Sequence, residues 1–225
     1  MKAKLLPVLL LVSMGSCVPN ETPVRILDSY PLEGAGTPGK CTLADIRQYN
    51  GSLDISVRSR YLMAFKLASE IEDSSAFGGT GEFVGNDHRN DFEANTMVMS
   101  YTSTPRMTFP TENLPIHIVV HQSEDDTDML VDLIGPQAFT VLADNLAVGD
   151  SADVVVSFHL RGALLSGQAM STNTVTFPIR VYNGGTTTCG GGDRPALNGP
   201  CGEIGGQDGY PYFCCSTAPM ADGCK

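Results

Sequence analysis

Residues Val154 to Gly167 read V-V-V-S-F-H-L-R-G-A-L-L-S-G, and Thr176 to Val181 read T-F-P-I-R-V. Ala152 to Leu160 and Thr172 to Tyr182 are predicted strands, rich in the β-branched and aromatic residues that suit a pleated surface. Between them Ala163 to Gln168, with Gly162 and Gly167 near its ends, reads as a hairpin turn. Pro178 donates no ladder hydrogen bond, which places the second strand at a sheet edge or at a bulge.

Working outward, the same signals recur toward the amino terminus. Leu53, Ile55 and Val57 alternate with polar neighbours, the two-residue period of a half-buried strand. Tyr61 to Ala68 is more uniformly apolar, which fits a central strand or a short buried helix; the nearby turn signals favour the strand. Glu93 to Thr102 alternates again, Ile116 to His121 is a compact apolar run after Pro115, and Ala138 to Leu142 is a further predicted strand. The chain has no Trp and many glycines, with much Thr, Ser and Val. Short strands joined by tight turns are the natural use of such a composition. Strands that each carry one apolar face must bury those faces against one another, so the predicted fold is all-β: an antiparallel two-sheet sandwich of immunoglobulin-like type. A closed barrel is the alternative. An outer-membrane barrel requires regular alternating segments with aromatic girdles, and these are missing from the sequence.

Both ends differ from this body. Lys2 and Lys4 precede an apolar run from Leu5 to Val12, the layout of a secretory signal over residues 1–16 and too short for a permanent span. Residues 17–40 carry Pro19, Pro23, Pro31 and Pro38 with several glycines and show no sustained period, so they read as a tether. Residues 41–183 form the predicted sandwich. Residues 184–225 hold Cys189, Cys201, Cys214, Cys215 and Cys224 among glycines and prolines, with too few large apolar side chains for a core. Disulfides would have to hold such a tail together. Tyr210, Tyr212 and Phe213 would supply its small core or a contact surface, and Cys41 would link the entrance of the body to it.

Met14, Gly15, Ser16 and Cys17 resemble the lipobox of bacterial lipoproteins, whose cysteine is diacylated and becomes the first residue of the mature chain. An ordinary signal peptide cut nearby would instead leave Cys17 as a disulfide partner. Parity bears on the choice. The chain has seven cysteines; with Cys17 carrying lipid, Cys41, Cys189, Cys201, Cys214, Cys215 and Cys224 can pair completely in an oxidising compartment. Adjacent Cys214 and Cys215 would strain a mutual bond, so each is assigned a different partner. No C-x-x-C occurs, which removes zinc-ribbon, iron-sulfur and c-type haem readings. Together with this lipobox-like segment, Gly51 to Val57, Val154 to Gly167, Thr176 to Val181 and the Q-D-G-Y-P-Y-F-C-C ending look like a set of exported lipoproteins of Gram-negative bacteria. The resemblance implies a cell-envelope location, with attachment to the outer membrane by lipid, and it brings no catalytic residues.

Charge narrows the partners. The formal net charge is −11, and loss of Lys2 and Lys4 with the signal makes it more negative still. A surface of that sign repels phosphate backbones and anionic head groups, so nucleic acid is excluded and acyl chains are left as the membrane attachment.

Candidate chemistry is sparse. His117 and His121 share a face of their predicted strand but lie about 13 Å apart at 3.3 Å per residue, too far to share a metal. With His88 and His159 they are read as ordinary solvent-facing or structural histidines. The glycines at 78, 79, 81 and 85 fit neither phosphate-loop spacing. No G-x-S-x-G elbow is present. Glu124, Asp125, Asp126 and Asp128, with Asp132 nearby, form the one acidic cluster with the oxygen donors calcium needs. No other cofactor is implied. Two functions follow: a binding or structural module contacting an envelope protein or a polysaccharide, or a glycan hydrolase using carboxylates such as Asp87, Asp91 and Glu93. On the calcium reading, millimolar calcium releases heat in a calorimetric titration and raises the melting temperature; a titration with neither response removes that site.

Overall fold

The computed structural model describes residues 22–34, 41–71, 90–122 and 126–184, with the short segments 194–195, 207–208 and 214–215. In chain order the elements are β1 (Val24–Tyr30), β2 (Leu32–Gly34), β3 (Cys41–Leu43), β4 (Gly51–Asp54), β5 (Leu62–Ser69), β6 (Phe92–Thr104), β7 (Glu112–Val120), β8 (Thr127–Asp132), α1 (Pro136–Asn145), β9 (Ser151–Leu164), β10 (Ala169–Ser171), β11 (Val175–Tyr182), β12 (Arg194–Pro195) and β13 (Cys214–Cys215). One sheet has the order β1-β5-β8, and a larger one has the order β4-β11-β9-β6-β7, with β10 added to β9. The molecule is therefore a mostly β protein with two principal sheets.

Period-two burial makes those sheets face each other. Along β9, Ala152, Val154, Val156, Phe158 and Leu160 are buried, while Asp153 and Arg161 between and beyond them are exposed. From the smaller sheet come Val24 and Ile26 of β1, Met63, Phe65 and Leu67 of β5, and Met129 and Val131 of β8. Phe65 meets Phe158 edge-on at 4.9 Å between ring centroids and Phe177 at 6.4 Å. Each fully buried side chain of this size stabilises the fold by about 1.5–3 kcal/mol.

The predicted hairpin is present. Leu164 N–H donates to Gln168 C=O, and Gly167 takes φ +95°, a conformation favouring glycine. β10 and β11 then run as one interrupted strand along β9. At the interruption Thr172 N–H donates to Leu160 C=O and its Oγ1 accepts Leu160 N–H, both at 3.0 Å. Asn173 turns across to the other sheet: its Oδ1 accepts Ile26 N–H at 2.7 Å, and its Nδ2 donates to Ile26 C=O at 3.0 Å.

Several expectations are corrected. The tether assigned to residues 17–40 contains a core strand, β1, which pairs antiparallel with β5 from Val24↔Ser69 to Tyr30↔Ala64. Pro23 and Pro31 bracket that strand instead of breaking it, since proline is tolerated where ladder bonding ends. β2 and β3 also pair with each other, so part of the supposed linker folds back as a short ribbon. Ala138 to Leu142 lies within helix α1, not a strand. Pro136 sits at the first helical turn with its φ already set, and Ala138 and Leu142, four apart, are the residues it buries. β4 ends at Asp54, short of the predicted Val57, because the Asp54 carboxylate takes the Ser56 N–H at 2.9 Å and hydroxyl at 2.6 Å and so closes a turn.

The sheets are not wholly antiparallel either, for β4 runs parallel to β11. β11 is consequently an interior strand, and its register with β9 runs unbroken through Pro178↔Val155, so neither the edge nor the bulge read from Pro178 is present. Ile55 N–H donates to Tyr182 C=O, so alternate residues of β11 back to Pro178 turn their peptide groups toward β4. Pairing with β4 starts only at Ile179↔Gly51. The missing donor of Pro178 therefore lies one residue before the β4 ladder begins, where no ladder bond is called for.

Of the tail, β12 pairs with β13, and Gln207 bridges to Leu53. Cys41, Cys214 and Cys215 are placed by backbone in β3 and β13. Cys17, Cys189, Cys201 and Cys224 lie outside the described residues.

Replacing Asn173 by Ala removes both bonds to Ile26 and leaves two backbone groups to find other partners. Urea unfolding of Asn173→Ala should show a loss of about 2 kcal/mol. A change within error of the parent would mean that the clasp adds nothing.

Candidate functional site

The strongest constellation of ionisable groups lies along the β6–β7 pair. Asp91, immediately before β6, is 2% exposed, and its Oδ2 stands 2.6 Å from His121 Nδ1, immediately after β7. The other oxygen accepts Gln122 N–H at 3.0 Å. Two residues along β6, Glu93 Oε1 lies 3.3 Å from His117 Nδ1. The hairpin register, Phe92↔Val120 and Glu93↔Val119, brings these groups together. A buried carboxylate bonded to Nδ1 fixes the ring and turns Nε2 away from itself, the orienting half of a general acid–base arrangement. The imidazole of His121 is 56% exposed, so the pair sits at a rim and not at the bottom of a cavity.

Sequence reading named Asp91 and Glu93 as possible acids and His117 and His121 as plain surface residues, without connecting them. Only strand register connects them, and it is fixed beside them by the buried pair Phe92↔Val120. Asp87 and His88 lie outside the described residues. His159, opposite Val98 on β9, is half-buried; burial and then the Arg161 charge hold its pKa below the ordinary value.

The acidic cluster divides among separate tasks. Lys66 Nζ contacts Asp126 and lies 3.7 Å from Asp128, so a side-chain ammonium already balances these two. Asp132 turns instead, half-buried, to the backbone, where it accepts Tyr61 N–H and Ile134 N–H, both at 3.2 Å, with Arg60 3.6 Å from its other oxygen. Burial raises its pKa in spite of those donors. Glu124 and Asp125 lie outside the described residues. Among the described residues no group of three or more His, Cys, Asp or Glu is placed to hold a metal ion.

Glu112 went unnoticed in the sequence. It is 2% exposed at the start of β7, and its oxygens accept Gln137 N–H at 3.2 Å and Ala138 N–H at 2.9 Å. A carboxylate in that place caps the first turn of α1 and complements the positive end of its dipole. Gly135, at the helix N-cap, has no side chain to do so and instead donates its N–H to Tyr101 Oη at 3.0 Å.

At the other end of the body the tail takes hold. Gln207 Oε1 accepts Leu62 N–H at 3.0 Å, and its Nε2 donates to Leu62 C=O at 2.6 Å. Asp208 accepts Ser52 N–H at 2.8 Å and the Tyr61 hydroxyl at 2.9 and 2.8 Å. Burial, reinforced by the Asp208 charge, pushes the Tyr61 hydroxyl far above the usual tyrosine range. Tyr101 is likewise pushed up, chiefly by burial.

An open groove of about 460 Å³ lies beside a register shift of β6 between Ala94 and Thr96, with Asn95, Thr96, Arg161 and Met170 among its lining. Gly162 lets the β6 backbone come close to β9 there: a Cβ would stand 2.0 Å from the Glu93 carbonyl oxygen. Comparison of the chain with protein-family models, with curated proteins and with solved structures finds no match in any of the three.

Raised tyrosine pKa values fix a pH dependence. The stabilisation from keeping Tyr61 and Tyr101 protonated is complete below the unfolded value of about 10, and it is lost as pH rises beyond it. Urea midpoints should therefore fall between about pH 10 and pH 12. Tyr61→Phe should fall less steeply than the parent over that interval; parallel curves would contradict the linkage.

Proposed function

We propose that the protein is a lipid-anchored lipoprotein of the bacterial envelope, attached to the outer membrane through Cys17, whose immunoglobulin-like sandwich serves as a binding or structural module. What carries the reading is a spacing. The first core strand begins at Val24, seven residues beyond Cys17, so little chain separates the lipid-bearing thiol from the folded body. Two sheets sharing one core are the frame such a module requires. Cys41, Cys189, Cys201, Cys214, Cys215 and Cys224 then pair among themselves and staple the tail.

The disposition of carboxylates favours a module over a hydrolase. A glycosidase needs two carboxyl groups about 5–10 Å apart flanking a substrate in a cleft. Here Asp91 and Glu93 each face an imidazole at the sheet rim, and Asp126 and Asp128 face Lys66. The partner class is an envelope protein or a polysaccharide, contacted through the loops or the open groove beside Arg161. The Asp91–His121 pair supports hydrolysis as a second reading. Release of new reducing ends from envelope polysaccharide, abolished in His121→Ala, would favour it.

Intact-mass analysis of native material should find a chain beginning at Cys17 and carrying acyl groups, with no thiol free to react. Cys17→Ala should leave the membrane fraction. An unmodified Cys17 in the mature protein would overturn the proposal.

A further inference from the structure

We infer that one end of the body faces the bilayer: the end formed by the start of β1, the end of β5 and the start of β8. The opposite end, where Gln207 and Asp208 dock, is presented outward. This rests on the lipid-anchor reading above and adds an orientation to it.

Chain reach decides the matter. From Cys17 to Val24 there are seven residue steps, which span at most about 25 Å fully extended and about 15 Å relaxed. Val24 pairs with Ser69, and Pro23 C=O accepts Glu70 N–H at 2.7 Å, so the tether enters at the carboxy-terminal end of β5. β8 starts at the same end, through Leu67↔Thr127. Leu62, at the other end of β5, lies about 23 Å farther along at 3.3 Å per residue. The relaxed tether is shorter than that strand. Inverting the body to bring the Leu62 end to the lipid would lift Val24 by about that strand length and require an almost fully extended tether.

Charge does not supply this geometry. The near end carries Arg25 paired with Glu70 at 3.4 Å, and Lys66 between Asp126 and Asp128. These groups sum to one negative charge, so that end has no attraction of its own for anionic head groups, and the tether sets the pose. The far end holds the described foothold of the cysteine-rich tail. Gln207 clasps Leu62, and Asp208 clasps Ser52 and Tyr61. A partner approaching from beyond the membrane would therefore meet the tail-bearing end first.

The chain has no tryptophan, so single tryptophans can report distance without background. Glu70 marks the near end and Arg60, whose side chain is 69% exposed, the far end. The full lipidated chain with Glu70→Trp or Arg60→Trp would be placed in vesicles of phosphatidylethanolamine and phosphatidylglycerol carrying a dansyl head-group acceptor. Energy transfer from position 70 should exceed that from position 60 by roughly threefold or more, given the ~23 Å offset. Asp126→Trp against Ser59→Trp repeats the comparison should either first variant fail to fold. Equal transfer, or more from the far position, in a chain whose mass confirms the lipid would overturn the orientation alone. A chain that carries no lipid and does not bind the vesicles would overturn the anchor reading, and the orientation with it.

Discussion

Phe65 lies between Phe158 and Phe177, and this meeting of aromatic rings from opposite sheets holds the two layers in one core. Edge-on contacts of this kind stabilise beyond the area they bury. They also demand register. A one-residue slip of β5 would turn Met63, Phe65 and Leu67 to solvent together. The register of β1 and β8 on either side of β5 follows from it, and so does the entry point of the chain at Val24. Tyr61, just before β5, extends the row by packing against Phe177 at 5.7 Å.

Where ladders stop, side-chain amides take over from the backbone. Asn173 does this for Ile26, beside the register shift of β1, and Gln207 does it for Leu62 at the start of β5. An amide presents one donor and one acceptor in the geometry of a peptide group, so it can satisfy an N–H and a C=O that a bulge or strand end would leave unpaired. The two clasps act at different places on the smaller sheet. One ties it to the larger sheet and the other ties the tail to it. Thr172 performs a related service for Leu160 within the larger sheet. Polar residues in irregular stretches are thus part of what holds the layers together.

The long strands were legible because their signal is local. β5, β6, β9 and β11 show in composition and period, and the Gly167 turn shows in its glycine. Local reading failed where the outcome depended on a distant partner. Val24 to Tyr30 looked like tether because its flanking prolines were weighed without the β5 strand that receives it. Ala138 to Leu142 looked like a strand because nothing near it announces Glu112, whose carboxylate caps the helix from β7. Pro178 looked like an edge marker because the late start of β4 cannot be seen from the proline itself. The candidate site failed for the same reason: Asp91 and His121 are thirty residues apart, and only the register of a hairpin makes them neighbours.

The acidic residues show how little composition alone says about chemistry. In sequence the carboxylates around residues 124 to 132 look alike, Asp91 stands out only as one of several possible acids, and Glu112 attracts no notice. In the fold, Glu112 is a helix cap, Asp132 accepts backbone N–H groups, Asp126 and Asp128 balance Lys66, and Asp91 orients an imidazole. What separates them is burial and the partner each meets. A carboxylate bonded by two N–H groups in the interior is held for structure, because removing it would strand both donors. Asp91 divides its oxygens between the Gln122 N–H and the ring of His121, whereas Asp126 and Asp128 face the ammonium of Lys66.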